Sequence, residues 1–222
     1  MLSRLLSGNI DIIEVLVYVL SSLAVIFLTL PIHEFAHAFI ADKLGDPTPR
    51  YQRRLTLNPM AHIDYFGALC VLLFGFGWAK PVPVNFSRLN NPKRDMGLVA
   101  VAGPFSNLLL AIFFVIVWRI CSELIPSGQF LLWIRENIQN GISLSLVIGI
   151  FNLLPILPLD GGRILVSLLP LKYAIRYQET EKYGFFVLIS VILLSQVSGI
   201  DVIGWFVGTL YPLFGKIVSL FM

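Results

Sequence analysis

Two histidines and a glutamate are the residues of this chain whose types and spacing are most suited to chemistry. They form the run His33-Glu34-Phe35-Ala36-His37. Residues four apart lie on one face of an α-helix, so His33 and His37 can offer two imidazoles to one metal ion. Glu34 is placed to take a proton from a water that the metal holds. Two of the chain's 3 histidines stand at this spacing, and the run therefore predicts a zinc site.

A catalytic zinc site usually has three protein ligands, so a third must come from elsewhere in the chain. Asp160 follows an apolar run and lies in a stretch that prolines and glycines unwind, Asn-Leu-Leu-Pro-Ile-Leu-Pro-Leu-Asp-Gly-Gly-Arg at 152–163. Its carboxylate would supply the missing anionic ligand. The alternative is a turn at a helix end, where Asp-Gly is common. His62 is the rival ligand, although a histidine in a polar loop needs no special role.

Two asparagines lie within apolar segments. Asn152 precedes Asp160 in the same stretch, and its amide could hold a developing oxyanion or fix the peptide carbonyl. The alternative is a hydrogen bond between helices, which is common for asparagine in membranes. Asn107 leaves the same two alternatives open, with the hydrogen bond between helices favoured.

Composition places these residues in a lipid bilayer. The chain has 222 residues, of which 57% are hydrophobic and 13% charged, and its mean hydropathy is +0.83. Soluble domains do not have this composition. The net charge of +3 is small, and nothing indicates nucleic-acid binding. Cys70 and Cys121 lack metal-ligand spacing and are expected to be apolar filler. The apolar N-terminal run continues into the histidine motif, so we expect a retained span and not a cleaved signal.

The apolar segments predict an all-α polytopic membrane protein with about five to six transmembrane helices. The first segment, 12–41, is longer than the bilayer core, so it should enter the membrane late or break at Pro31. The other expected spans are 97–118, 142–159, 184–196 and 202–220.

Residues 66–78 are apolar but too short for a span, which predicts a re-entrant element. Residues 80–85, with alternating prolines and valines, should continue it as extended chain. Such an edge could pair with another extended chain by strand addition, and Gly75 and Gly77 would let the two backbones approach closely. The alternative for these glycines is a simple tight turn.

Positive charge orients the chain in the membrane. Lysines and arginines concentrate in the loops 43–54, 80–94 and 163–182. If 66–78 is re-entrant, all three loops lie on one side, which the positive-inside rule makes the cytoplasm. This predicts a multi-pass protein of the cell membrane, with the metal site towards the cytoplasmic side. The whole of 1–222 then reads as one domain, with a catalytic core at 12–170 and a C-terminal helix pair at 184–222.

Three motifs together resemble the site-2 protease family of intramembrane zinc metalloproteases: His-Glu-Phe-Ala-His at 33–37, Ala-Gly-Pro-Phe-Ser-Asn at 102–107, and the stretch 152–163. The chain is most similar to the small, single-domain prokaryotic members, and no PDZ insertion or nucleotide-sensing domain is expected. The resemblance implies one Zn²⁺ per chain, with Asp160 as third ligand and Asn152 as the family's conserved asparagine. It also implies a substrate-pairing re-entrant β-hairpin around 75–85.

The resemblance further implies regulated cleavage of transmembrane protein or peptide substrates within the bilayer. The alternative functions are a zinc-binding membrane transporter and a non-catalytic membrane scaffold, since ionisable residues in membrane helices suit these roles as well. No feature of the sequence specifies an oligomeric state.

Overall fold

The computed structural model describes residues 12–67 and 79–221. Within these ranges the regular structure is helical, and an isolated antiparallel bridge joins Ile63 to Ala79. The expected all-α class is therefore confirmed for the part of the chain described. The helices, in chain order, are α1 (Ile12–Lys43), α2 (Thr48–Tyr51), α3 (Pro59–His62), α4 (Pro92–Leu124), α5 (Gln129–Asn152), α6 (Asp160–Leu168), α7 (Leu171–Gln178), α8 (Glu181–Ser198) and α9 (Val202–Ser219), with a 3₁₀ turn at Phe86–Arg88.

Among the described residues, three helical segments are long and apolar enough to cross a membrane: Val25–Lys43 of α1, all of α4, and all of α9. They correspond to the expected spans 12–41, 97–118 and 202–220, and the chain is a membrane protein. The expected spans 142–159 and 184–196 overlap α5 and α8, which are not among these three segments. A count of five to six spans stays a prediction.

Helix α1 carries the histidine motif and continues through Pro31. Of the two alternatives expected for this segment, late entry into the membrane or a break at Pro31, the break is wrong. Proline removes one backbone hydrogen bond from a helix, and membrane helices tolerate this loss where neighbouring groups satisfy the freed carbonyl. As a result His33 and His37 follow the proline within one continuous helix.

Helix α4 lies at the centre of the fold and packs against α1, α5 and α6. The amide of Asn90, just before α4, donates to the carbonyl of Leu44, just after α1, at 3.0 Å. The beginning of α4 therefore lies beside the end of α1. Two groups of buried apolar side chains fix α4 in this place: Ala41, Leu89, Met96 and Val99 towards α1, and Ala111, Val115, Leu146, Ile150 and Val218 towards α5 and α9.

The loop after α1 is tied to the extended chain before α4. The buried carboxylate of Asp46 accepts hydrogen bonds from the amides of Thr48 and Asn85, at 3.0 and 2.6 Å. The buried guanidinium of Arg54 donates to the carbonyls of Ala61 and Pro81. These bonds hold residues 81–85 against the loop that follows α1.

The expected re-entrant element falls mostly outside the described residues, which resume at Ala79. Gly75 and Gly77, the expected substrate-binding glycines, belong to this part of the chain. The described residues on either side meet at the Ile63–Ala79 bridge, where the amide of Lys80 also donates to the carbonyl of His62 at 2.9 Å.

Candidate metal centre

Three potential metal ligands converge between α1 and the beginning of α6. Nε2 of His33 lies 3.0 Å from Nε2 of His37, one helical turn later. The two carboxylate oxygens of Asp160 lie 3.1 Å from Nε2 of His33 and 3.3 Å from Nε2 of His37. All three residues are buried, at 4%, 8% and 7% exposure respectively. Within the described ranges, no other group of three histidine, cysteine or acidic residues has a geometry suited to a metal ion.

Asp160 reaches the histidines because the chain between α5 and α6 turns tightly. Residues 153–159 are irregular, and α6 begins at Asp160. Gly162 allows this turn to close, since a Cβ there would lie only 2.6 Å from the backbone nitrogen of Leu157. Asp160, Gly161 and Gly162 are themselves the first residues of α6, and the turn at 153–159 that precedes them directs the carboxylate towards α1.

The spacing of these ligand atoms fits a small divalent cation. Ligand atoms about 2.0 Å from a tetrahedral zinc ion lie roughly 3.3 Å apart, close to the distances observed. Two imidazole lone pairs and a carboxylate are all hydrogen-bond acceptors, so their convergence in a buried space is unfavourable unless a cation or a proton lies between them. Two histidines and one carboxylate are also a known donor set of catalytic zinc sites.

One face of α4 supports both imidazoles. Nδ1 of His37 donates to the carbonyl of Val99 at 2.7 Å, which leaves Nε2 of a neutral ring free to bind a metal. Nδ1 of His33 lies 3.2 Å from the side-chain amide of Asn107. Between these contacts, Gly103 faces both rings, and a Cβ there would lie 2.6 Å from Nε2 of His33. Three positions spaced four residues apart on α4 thus face the histidines: Val99 provides a hydrogen-bond acceptor, Gly103 leaves space for the rings, and Asn107 provides a side-chain amide.

Glu34 lies beside the cluster and contacts the extended chain. Its Oε2 accepts a hydrogen bond from the backbone amide of Val82 at 3.0 Å. Val82 is buried between two prolines, which carry no backbone N–H of their own. The amide of Val82 therefore fixes one carboxylate oxygen of Glu34 and leaves the other available.

Asn152, His62 and Arg163 make polar contacts with groups other than the three ligands. The amide of Asn152 donates to the carbonyl of Ile148 in its own helix, at 2.9 Å. His62 is buried, and its Nε2 lies 2.8 Å from the carbonyl of Thr56, outside the group of three. Arg163 lies 3.7 Å from Glu181.

Sequence reasoning missed three parts of this site: the carbonyl of Val99, the amide of Val82 and the gap at Gly103. The first is a backbone carbonyl, which every residue possesses, and the second is a backbone N–H, which every residue except proline possesses, so no residue type signals them. Gly103 had a signal, because it lies in the motif at 102–107, but its place opposite the imidazoles depends on how α4 packs against α1.

Comparison with known proteins finds similarity to zinc metalloproteases. The model of Peptidase family M50 matches residues 125–195, which include Asn152 and Asp160. Bacillus subtilis "Putative zinc metalloprotease YwhC" is 42% identical over 178 residues, covering 78% of this chain and 81% of that protein. A Methanocaldococcus jannaschii protein of the same description, MJ0611, is 30% identical over 158 residues, covering 68% and 72%. Rip2 of Mycobacterium tuberculosis is 29% identical over 192 residues, covering 84% and 70%.

No solved structure matches the chain significantly. The identity to the Bacillus protein extends over most of both chains, and the family model covers the turn that brings Asp160 to the histidines. The chain therefore belongs to peptidase family M50, the family of the site-2 proteases.

Proposed function

We propose that this chain is an intramembrane zinc endopeptidase of the HExxH type, which hydrolyses peptide bonds within or near transmembrane segments of membrane proteins. The observation that carries the proposal is the buried convergence of His33, His37 and Asp160, with Glu34 beside them. His33, His37 and Asp160 would together hold one zinc ion per chain. Bound there, zinc would act as a Lewis acid towards the scissile carbonyl and lower the pKa of a water to about 7.

Glu34 is the proposed general base. It takes the proton of the attacking water and returns it to the leaving amine. The amide of Val82 holds one oxygen of Glu34, so the carboxylate is oriented before substrate arrives. Asn152 is proposed to steady the oxyanion. Its side-chain NH₂ has two N–H donors, of which one contacts the carbonyl of Ile148 and the other would be the donor to the oxyanion.

The proposed substrate is a transmembrane helix that unwinds locally, because a helix keeps its peptide bonds in its own hydrogen bonds. The extended chain after Ala79 lies against Glu34, which supports a role for the region 75–85 in binding the unwound strand. Gly75 and Gly77 are proposed to allow its close approach. The adjacency of Ile63 and Ala79 supports a re-entrant element, because a segment whose ends meet starts and finishes on one side of the bilayer.

We further propose a single membrane-embedded domain, with its catalytic core at 12–170 and its site towards the cytoplasm. A zinc transporter or a membrane scaffold is the competing function. A transporter and a scaffold would each use the zinc ligands His33, His37 and Asp160, but neither function needs a general base. Glu34 separates these functions, because it lies beside the cluster without belonging to the group of three.

The test measures zinc content and cleavage of a model transmembrane peptide by wild type, Asp160→Ala and Glu34→Gln, all purified in detergent. We expect about one zinc per wild-type chain and a sharp loss in Asp160→Ala, because three protein ligands hold the ion. Glu34→Gln should keep its zinc and lose cleavage by at least about 100-fold, as expected for loss of a general base. Full zinc in Asp160→Ala would remove Asp160 from the ligand set, and undiminished cleavage by Glu34→Gln would contradict the peptidase mechanism.

A further inference from the structure

The two histidines differ in the group that faces their outer nitrogen. A histidine that binds a metal through Nε2 carries its proton on Nδ1 and needs a hydrogen-bond acceptor there. For His37 that acceptor is the backbone carbonyl of Val99, at 2.7 Å. For His33 the neighbour of Nδ1 is a side chain, the amide of Asn107, whose Nδ2 lies 3.2 Å away.

Asn107 is held tightly in this position. Its side chain is completely buried, and a Cβ added at Gly149 on α5 would lie 3.1 Å from its Cβ. Its Oδ1 is buried without a hydrogen-bond partner. A buried amide oxygen without a donor is costly, so its surroundings call for an explanation.

Rotating the side-chain amide of Asn107 by half a turn about its Cβ–Cγ bond would give the buried Oδ1 a partner, because Oδ1 would then face Nδ1 of His33. The oxygen and nitrogen of an asparagine side chain are nearly equivalent in shape, and their orientation is assigned from hydrogen bonding. With the nitrogen towards His33, Nδ1 would be an acceptor and the ring proton would lie on Nε2, where it blocks a metal. With the oxygen towards His33, Nδ1 donates and Nε2 is free.

We propose that Asn107 is a positioning residue, whose Oδ1 accepts the Nδ1 proton of His33 and so holds that ring in its zinc-binding tautomer. The inference rests on the proposed zinc site and extends it. Helix α4 then serves both ligands, through a backbone carbonyl at Val99 and a side-chain carbonyl two turns later at Asn107. This gives a buried polar side chain in an apolar helix a function other than joining helices.

The test is zinc affinity, measured by competition with a chelator for the purified full chain. Asn107→Leu keeps the shape of the side chain but cannot accept a hydrogen bond, and we expect zinc to bind about 10- to 100-fold more weakly. Asn107→Asp keeps an acceptor and should bind zinc within about threefold of wild type. Ser145→Ala is the matched control, because Ser145 is equally buried and contacts Thr29 of α1 but neither histidine. It should leave zinc affinity unchanged.

Wild-type affinity in Asn107→Leu would overturn the proposal, and so would equal losses in the leucine and aspartate variants, which would indicate a donor. If the leucine variant does not fold, ¹⁵N NMR of labelled histidines in the zinc-loaded wild type decides, because a deprotonated Nδ1 on His33 contradicts the assignment. A wild type without zinc would instead refute the proposed function itself.

Discussion

Gly103 occupies the position where the two imidazoles come closest to α4. A Cβ there would meet both rings, and one of these contacts is 2.6 Å, to Nε2 of His33. These nitrogens are the atoms that would bind the metal. The smallest addition to this residue therefore acts directly on the ligand geometry, although Gly103 itself has no group that could coordinate an ion.

Gly103→Ala is expected to displace the histidines and weaken zinc binding by about 100-fold, at the upper end of the effects of residues that orient ligands. Gly208→Ala on α9 is the control, because a Cβ there meets no atom within 4 Å. It should leave zinc unaffected and favour the helix slightly. The measurement is chelator competition on both variants. Normal affinity in Gly103→Ala would show that the rings can move aside at no cost.

For single residues, the sequence predicts which side chains could take part in the site better than it predicts which groups they contact. The spacing of His33 and His37 gave the metal hypothesis, and the lack of an anionic ligand selected Asp160, which the structure brings to them. For Asn107 the sequence left two roles open. The choice between them depends on which side chain of α1 lies opposite, and a single segment's pattern holds no information on that.

Among the elements, the extended chain at 79–85 has an unusual relation to the site. It lies against α1, and one backbone amide, that of Val82, reaches the carboxylate of Glu34. The flanking prolines 81 and 83 favour extended backbone and keep this segment from becoming helical. Between two residues that have no backbone N–H, the segment thus provides one donor beside the proposed base.

Val82→Pro removes this donor and preserves an extended backbone, whereas Val82→Ala trims the buried side chain and keeps the donor. A hydrogen bond to a charged group contributes about 1.5–3 kcal/mol, so we expect the proline variant to lose roughly tenfold or more in kcat while zinc content stays normal. The alanine variant should retain most of its kcat. Equal kcat losses in the two variants would assign the effect to packing and not to the amide.

The first residue of α4 illustrates why the sequence predicts the ends of helices only approximately. The expected span 97–118 is the apolar part of α4, which begins at Pro92 and includes Lys93, Arg94 and Asp95. Asp95 accepts a hydrogen bond from the amide of Asn91 at 2.7 Å, which satisfies a free donor at the helix start. Apolar runs report the length embedded in lipid, but capping by polar residues decides where a helix begins.

At the scale of the whole molecule, the basic loops 43–54 and 80–94 lie next to each other. The loop after α1 and the chain before α4 are joined by the bonds Asn90–Leu44 and Asn85–Asp46. Both are rich in lysine and arginine, and the positive-inside rule places such loops in the cytoplasm. The bonds therefore support an arrangement in which 66–78 does not cross the membrane.

This arrangement predicts the accessibility of two exposed serines. Ser87 lies in the basic chain before α4, and Ser127 lies between α4 and α5. In a chain without Cys70 and Cys121, Ser127→Cys should react with a membrane-impermeant maleimide in intact cells, since α4, as a membrane span, would place the two positions on opposite sides of the bilayer. Ser87→Cys should react only after lysis. Reaction of both in intact cells would refute the proposed orientation.

The guanidinium of Arg54 has a consequence for how this protein can diversify. By holding the carbonyls of Ala61 and Pro81, it fixes, together with the Ile63–Ala79 bridge, the described chain before and after residues 68–78. Lengthening a chain between two fixed ends costs little conformational entropy. The intervening sequence can therefore change in composition and length while Val82 keeps its place against Glu34. Evolution, or a designer grafting the segment of a relative, could alter what the molecule recognises independently of the groups that carry out the chemistry.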